Sequence, residues 1–121
     1  MSDRALTGKK GEAAAVEFLE KKGYKIICRN FKRFGGEIDL IAEVGQSLVL
    51  CEVKSKRHGS FFSPQENISN KKIEKMLKVL DRFLSEYPEF EKFNPQIDLV
   101  FVELNDSFPP IIEHFENIMI E

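Results

Sequence analysis

The chain has 121 residues, 42% of them hydrophobic and 31% charged, with a formal net charge of −2. That length suits a single domain over 1–121 with a core of its own, and the composition excludes a disordered or fibrous chain. Charged residues interrupt the N-terminal stretch throughout, so it reads as neither a signal peptide nor a membrane span.

Residues 8–22 are predicted to be a helix, with Thr7 as its cap and Gly23 as its stop. Its core stripe includes Ala15, Val16, Phe18 and Leu19. A strand is expected from Tyr24 to Phe31, and Gly35-Gly36 then break the chain. Two strands follow, Glu37 to Val44 and Ser47 to Lys54, joined by a two-residue hairpin turn at Gly45-Gln46. Residues 55–68 read as an irregular segment containing Gly59 and Pro64. Ser69 can cap a long helix reaching about Tyr87. Its apolar stripe is Ile73, Met76, Leu77, Leu80, Phe83, Leu84 and Tyr87. After a loop from Pro88 to Pro95, strands are expected from Gln96 to Leu104 and from Ile111 to about Phe115. The order α-β-β-β-α-β-β predicts an α/β sandwich with a mixed sheet.

Charge is unevenly spread. Residues 1–80 carry 16 Lys and Arg against 10 Asp and Glu, whereas residues 81–121 carry 2 against 10. The basic portion suits a polyanionic partner, and equally a solvated surface. Cys28 and Cys51 both lie in apolar runs. That pattern suits buried, reduced thiols and a cytosolic setting.

The strand sequences carry the chemistry. Period-two alternation sets Glu52 and Lys54 on one face, and Glu37, Asp39 and Ile41 on a face opposite Ile38, Leu40 and Ala42. Carboxylates thus interrupt strands that otherwise look buried, and buried carboxylates need a charged partner or a metal. The alternative is a set of cross-strand ion pairs of Glu37 and Asp39 with Lys54. Carried down the ladder, the hairpin register sets Asp39 opposite Glu52 and Glu37 opposite Lys54. Glu12 lies beside the packing stripe of the first helix, in its first turn. Gly8 and Gly11 permit close backbone approach there, and the helix dipole also favours a carboxylate at that position.

Gly11-Glu12, then Gly36-Glu37-Ile38-Asp39-Leu40-Ile41, then Glu52-Val53-Lys54 resemble the PD-(D/E)XK nuclease superfamily. More narrowly the chain resembles the small bacterial YraN family, related to archaeal Holliday junction resolvases. Asn30, the 66–72 stretch and Ile97-Asp98-Leu99-Val100 extend the similarity over almost the whole chain. The resemblance implies a restriction-endonuclease-like mixed sheet flanked by helices. It implies a catalytic set of Glu12, Asp39, Glu52 and Lys54, and an endonuclease acting on DNA, with branched or repair-intermediate structures among its substrates. Asp39, Glu52 and the Val53 carbonyl would bind Mg²⁺ or Mn²⁺, and Glu12 would complete the set directly or through water. A homodimer is implied by resolvase relatives, which must cut two strands. The alternative is a non-catalytic module on the same fold that binds nucleic acid or a repair partner.

Phosphate contacts are expected from Lys56 and Arg57, with His58 on the same loop, and from Arg33 with Arg29 and Lys32. Lys71 and Lys72 join them at the start of the second helix. Lys71, Lys75, Lys78 and Arg82 form one face of that helix, which a solvated surface would also explain. Gln65 faintly echoes a glutamine that follows E-x-K in some nucleases. Asp98 is either a support for the site or a strand-end residue, and His114 is expected to be structural.

Overall fold

Gly45, with φ +56°, and Gln46 close the hairpin between β2 (Gly36–Val44) and β3 (Ser47–Arg57). Val44 pairs with Ser47, and the antiparallel register runs on to Leu40 opposite Cys51. That is the register a two-residue turn imposes. The computed structural model describes residues 2–59 and 68–119. Gln65, Glu66 and Asn67 lie outside the described residues.

Five strands make one mixed sheet in the order β1-β2-β3-β4-β5, with β1 at Lys25–Arg33, β4 at Asn94–Leu104 and β5 at Ile111–Phe115. Only β3 and β4 are parallel; the other neighbours are antiparallel. A parallel pair needs a crossover, and α2 (Asn70–Glu86) supplies it. The Ser69 hydroxyl caps α2 by accepting the Lys72 N–H at 3.1 Å, as its sequence predicts.

The helices cover opposite faces. Met76, Val79, Leu80 and Phe83 of α2 pack on Ile38, Ile41, Leu48, Leu50 and Ile97. Ala15 and Leu19 of α1 (Asp3–Lys21) pack on Leu40, Ala42, Val49, Cys51, Val100 and Val102. The α2 stripe is rotated from its expected position, because Val79 is fully buried while Tyr87 is exposed. Helix α1 starts five residues earlier than predicted. Ser2 caps it by accepting the Ala5 N–H at 3.1 Å, which leaves Thr7 inside the helix rather than at its cap. Gly23, at φ +96°, ends it as expected.

Strand β3 outruns its prediction by three residues. Lys56 and Arg57 pair with Glu103 and Leu104 of β4 rather than entering a loop. The parallel neighbour extends the ladder there, which local composition cannot reveal. Cys28 and Cys51 are both free thiols and belong to opposite faces of the sheet. Burial, aided by Asp98, raises the Cys51 thiol well above its ordinary value. Among the described residues, no helix is long and apolar enough to cross a membrane.

Candidate active site

The site begins where strand alternation fails. Ile38 packs with Ile41 on the α2 side, whereas Leu40 and Ala42 pack on the α1 side. The expectation that Ile38, Leu40 and Ala42 share a face is therefore corrected: the phase changes around Asp39. Across the ladder, β1 pairs Arg29 with Leu40 and Phe31 with Ile38. Asn30, between them, sits in the left-handed region at φ +54°. The β1–β2 register is the same on either side of Asn30, its shift lying between Ile26 and Cys28, so the Asp39 side chain is re-aimed without a slip of the ladder.

Asp39 thereby reaches a cavity of about 550 Å³ whose wall also includes Glu12, Val53, Ser55, Lys56 and Arg57. The β2–β3 ladder stops at Leu40–Cys51, so neither Asp39 with Glu52 nor Glu37 with Lys54 is a ladder pair. Glu37 pairs with Lys32 of β1 instead. Just past the last pair, Asp39 Oδ2 accepts the Val53 N–H at 2.8 Å. A side chain has taken a backbone donor there, and the two strands no longer continue as a regular ladder.

Glu52 reaches the same spot from the next strand. Its carboxyl lies within hydrogen-bonding reach of Asp39, and its Oε2 is 3.2 Å from Lys72 Nζ at the start of α2. Glu52 is 9% exposed. Glu12 approaches from α1, where Gly11 allows the helix to come close. A Cβ at Gly11 would lie 1.8 Å from Ser55 Oγ, whereas a Cβ at Gly8 would meet nothing within 4 Å. Of the two glycines singled out from the sequence, Gly11 alone is needed for close approach. Asn30 Nδ2 donates to Glu12 Oε1 at 2.8 Å, and Arg29 Nε stands 3.6 Å from the same oxygen.

Crowding of carboxylates has an electrostatic consequence. Burial, above all, pushes the Asp39 carboxyl up to about 8; the adjoining Glu52 carboxyl and the charge of Glu12 add to it. The Val53 N–H opposes the shift. Asp39 thus keeps its proton far above the ordinary carboxyl range.

The structure thus brings Glu12, Asp39 and Glu52 together, with Val53 beside them. Lys54 shares the Glu52 side of β3 by alternation and is half-buried. Among the described residues it makes neither an ion pair nor a hydrogen bond, so the expected pairing of Glu37 or Asp39 with Lys54 is not made. Lys72 joins the carboxylates directly. Lys56 stands in the cavity wall, 3.3 Å from Glu103. Arg57 is in the same wall and its Nε donates to Thr7 at 3.2 Å. Lys71, Lys75, Lys78 and Arg82 are all exposed along α2. Arg33 is set apart from the carboxylates: Glu86 holds it through two bonds of 2.6 and 2.7 Å, and it stacks 4.0 Å over Phe31.

A second polar cluster lies between β4, β5 and the end of α1. Asp98, His114 and Glu116 offer ligand atoms within 4.8 Å of one another, a set that could hold a metal. Protein groups already satisfy it. Asp98 Oδ2 accepts from His114 Nε2 at 2.7 Å and from the Tyr24 hydroxyl at 3.0 Å; its Oδ1 accepts from Gln96 and from the Asn117 N–H. Lys22, which can only donate, sits 2.8 Å from His114 Nδ1 and so fixes Nε2 as the donor to Asp98. Those four bonds hold the Asp98 carboxyl below its ordinary value despite burial, which works against them. Burial, with Glu116 and Asp98 alongside, raises Tyr24 far above the usual phenol. His114 is structural, as expected. Asp98 is neither at a strand end nor a support of the carboxylate site; it is the hub of this network. Sequence alone missed Tyr24 and Lys22, and it placed Lys72 among the phosphate contacts rather than beside Glu52, since each meets its partner only through the fold.

Residues 11–102 match the family described as uncharacterised protein family UPF0102. A UPF0102 protein of Carboxydothermus hydrogenoformans is 33% identical over 117 residues, 97% of this chain and 98% of its own length. One from Persephonella marina is 43% identical over 79 residues, covering 65% and 68% of the two chains. Another, from Caldanaerobacter subterraneus, is 36% identical over 103 residues, covering 85% and 84%. The match takes in Gly11-Glu12, Asp39, Glu52-Val53-Lys54 and Asp98 alike, and the chain belongs to the UPF0102 family, the YraN family its motifs resemble.

Proposed function

We propose that this chain is a divalent-metal-dependent endonuclease that hydrolyses phosphodiester bonds in DNA. The observation that carries the reading is the convergence of Asp39, Glu52 and Glu12 at the place where the β2–β3 ladder ends, with Asp39 pushed up to about 8. Such a set is electrostatically strained alone and suits a hard cation, which takes oxygen donors and relieves the repulsion. Asp39, Glu52 and the Val53 carbonyl would hold Mg²⁺ or Mn²⁺, with Glu12 completing the set. When bound, the ion would polarise the scissile phosphate and lower the pKa of an attacking water.

The chain's own residues supply the rest. Asn30 and Arg29 orient Glu12. Lys54, without a partner among the described residues, is available to stabilise negative charge as it develops on the phosphate. Lys72 neutralises part of the carboxylate charge in the metal-free protein. Lys56 and Arg57 in the cavity wall, and the exposed row from Lys71 to Arg82, would meet the DNA backbone. A homodimer would allow paired cuts in branched DNA.

One observation favours a non-catalytic binding module: Lys72 already gives Glu52 a cationic partner. A cleavage screen separates the readings, using linear, nicked, flapped and four-way DNA with Mg²⁺ or Mn²⁺. The nuclease reading expects metal-dependent cutting that falls by about 100-fold or more in Glu52→Ala and Lys54→Ala, while Lys54→Ala retains most of its DNA affinity. Cutting at equal rates by wild type and both variants, or by none of them, would contradict it.

A further inference from the structure

The carboxylate cavity does not end at Arg57. A second concavity of about 710 Å³ shares Thr7 and Arg57 with it and continues along Lys10, His58, Phe108 and Ile111. Its size falls in the range of sites for small ligands. We infer that this second concavity is a subsite for one unpaired DNA nucleotide next to the scissile phosphate, with Phe108 as its stacking platform. The inference rests on the nuclease reading for its position, and on its own residues for its ligand.

Two kinds of chemistry meet there. Lys10, Arg57 and His58 bring basic groups to it, and Asp106 is the acid among its described lining residues. Glu103 holds His58 in place, with its Oε2 3.0 Å from the ring Nδ1, and Thr7 holds Arg57. The same concavity also holds exposed apolar side chains: Phe108 is 71% exposed and Ile111 is 56% exposed. Apolar surface left in water at a concavity is surface that a ligand can cover. A nucleotide matches both kinds of lining, with its phosphate on the basic groups and its base on the ring. In a duplex the faces of each base are covered by its neighbours. A base can stack on Phe108 only after it has left the helix or at a strand that is already single. The subsite therefore directs the neighbouring cleavage centre to DNA with an unpaired nucleotide beside the cut.

The test measures binding in Ca²⁺, so that it does not depend on cleavage. Fluorescence anisotropy gives the affinity for a duplex with a single-stranded flap and for a fully paired duplex of the same length, for wild type, Phe108→Ala and Phe108→Tyr. Wild type should prefer the flap by about 10-fold, Phe108→Ala should lose most of that ratio, and Phe108→Tyr should keep it. Phe108 is exposed, so neither change threatens the fold. Equal ratios in wild type and Phe108→Ala would overturn the inference. So would a change of Phe108→Ala from dimer to monomer with the ratio intact, since the ring would then cover a second copy. If wild type cuts no DNA yet shows the Phe108-dependent ratio, the subsite stands and the nuclease reading alone fails.

Discussion

Two tripeptides of identical sequence, Ile38-Asp39-Leu40 on β2 and Ile97-Asp98-Leu99 on β4, meet opposite fates. Asp98 accepts four hydrogen bonds and is held below its ordinary pKa. Asp39 accepts one backbone N–H, faces two other carboxylates and is pushed up to about 8. Burial raises both. Neighbouring donors decide the sign: Tyr24, His114 and Asn117 from other parts of the chain, with Gln96 two residues away, for one, and Val53 for the other. A saturated carboxylate is architecture. A carboxylate that crowds its own kind is poised for a cation.

The largest expected effect breaks the saturated side. Asp98→Ala strips four donors of their acceptor in a buried setting, and urea denaturation should show a loss of about 3–5 kcal/mol. A loss below about 1 kcal/mol would mean that the network is not a structural hub.

The second effect is smaller and of opposite sign. Asp39→Asn keeps an acceptor for the Val53 N–H and can donate to Glu52. Asp39 binds its proton more tightly in the folded protein than in the unfolded chain. The associated stability is fully present below the ordinary carboxyl value near 3.8 and is lost as pH rises through about 8. Metal-free Asp39→Asn should therefore gain on wild type progressively as pH rises from 5 to 8. Glu12→Gln should follow with the same sign and a smaller shift, since Glu12 is the weakest of the causes acting on Asp39. Parallel pH profiles for wild type and Asp39→Asn would remove the contrast between the two aspartates.

Much of this was legible before folding. The Gly45-Gln46 turn gave the register as far as Cys51, and the Ser69 cap with its apolar stripe gave α2. Glu12 was legible as a candidate because a carboxylate beside a packing stripe, next to Gly11, is anomalous. What escaped was non-local. Period-two reasoning assumes an unbroken strand, and the phase changes at Asp39, across from the left-handed Asn30. Lys56 and Arg57 are strand residues because β4 lies alongside them, a partner about 50 residues away along the chain. Lys72 reaches Glu52 only once α2 has crossed over the sheet. His114 carried no motif, and its role depends on Lys22 and Asp98 arriving from opposite ends of the chain.

The central claim is that Asp39, Glu52 and Glu12 form a cation site whose proton a metal displaces. Isothermal titration of Mn²⁺ at pH 7, repeated in buffers of different ionisation enthalpy, measures binding and proton release together. Wild type should bind Mn²⁺ with release of protons, Asp39→Asn should bind weakly without release, and Glu52→Gln should bind least. Equal Mn²⁺ affinity in all three proteins, or tight binding by wild type with no proton released, would contradict the account.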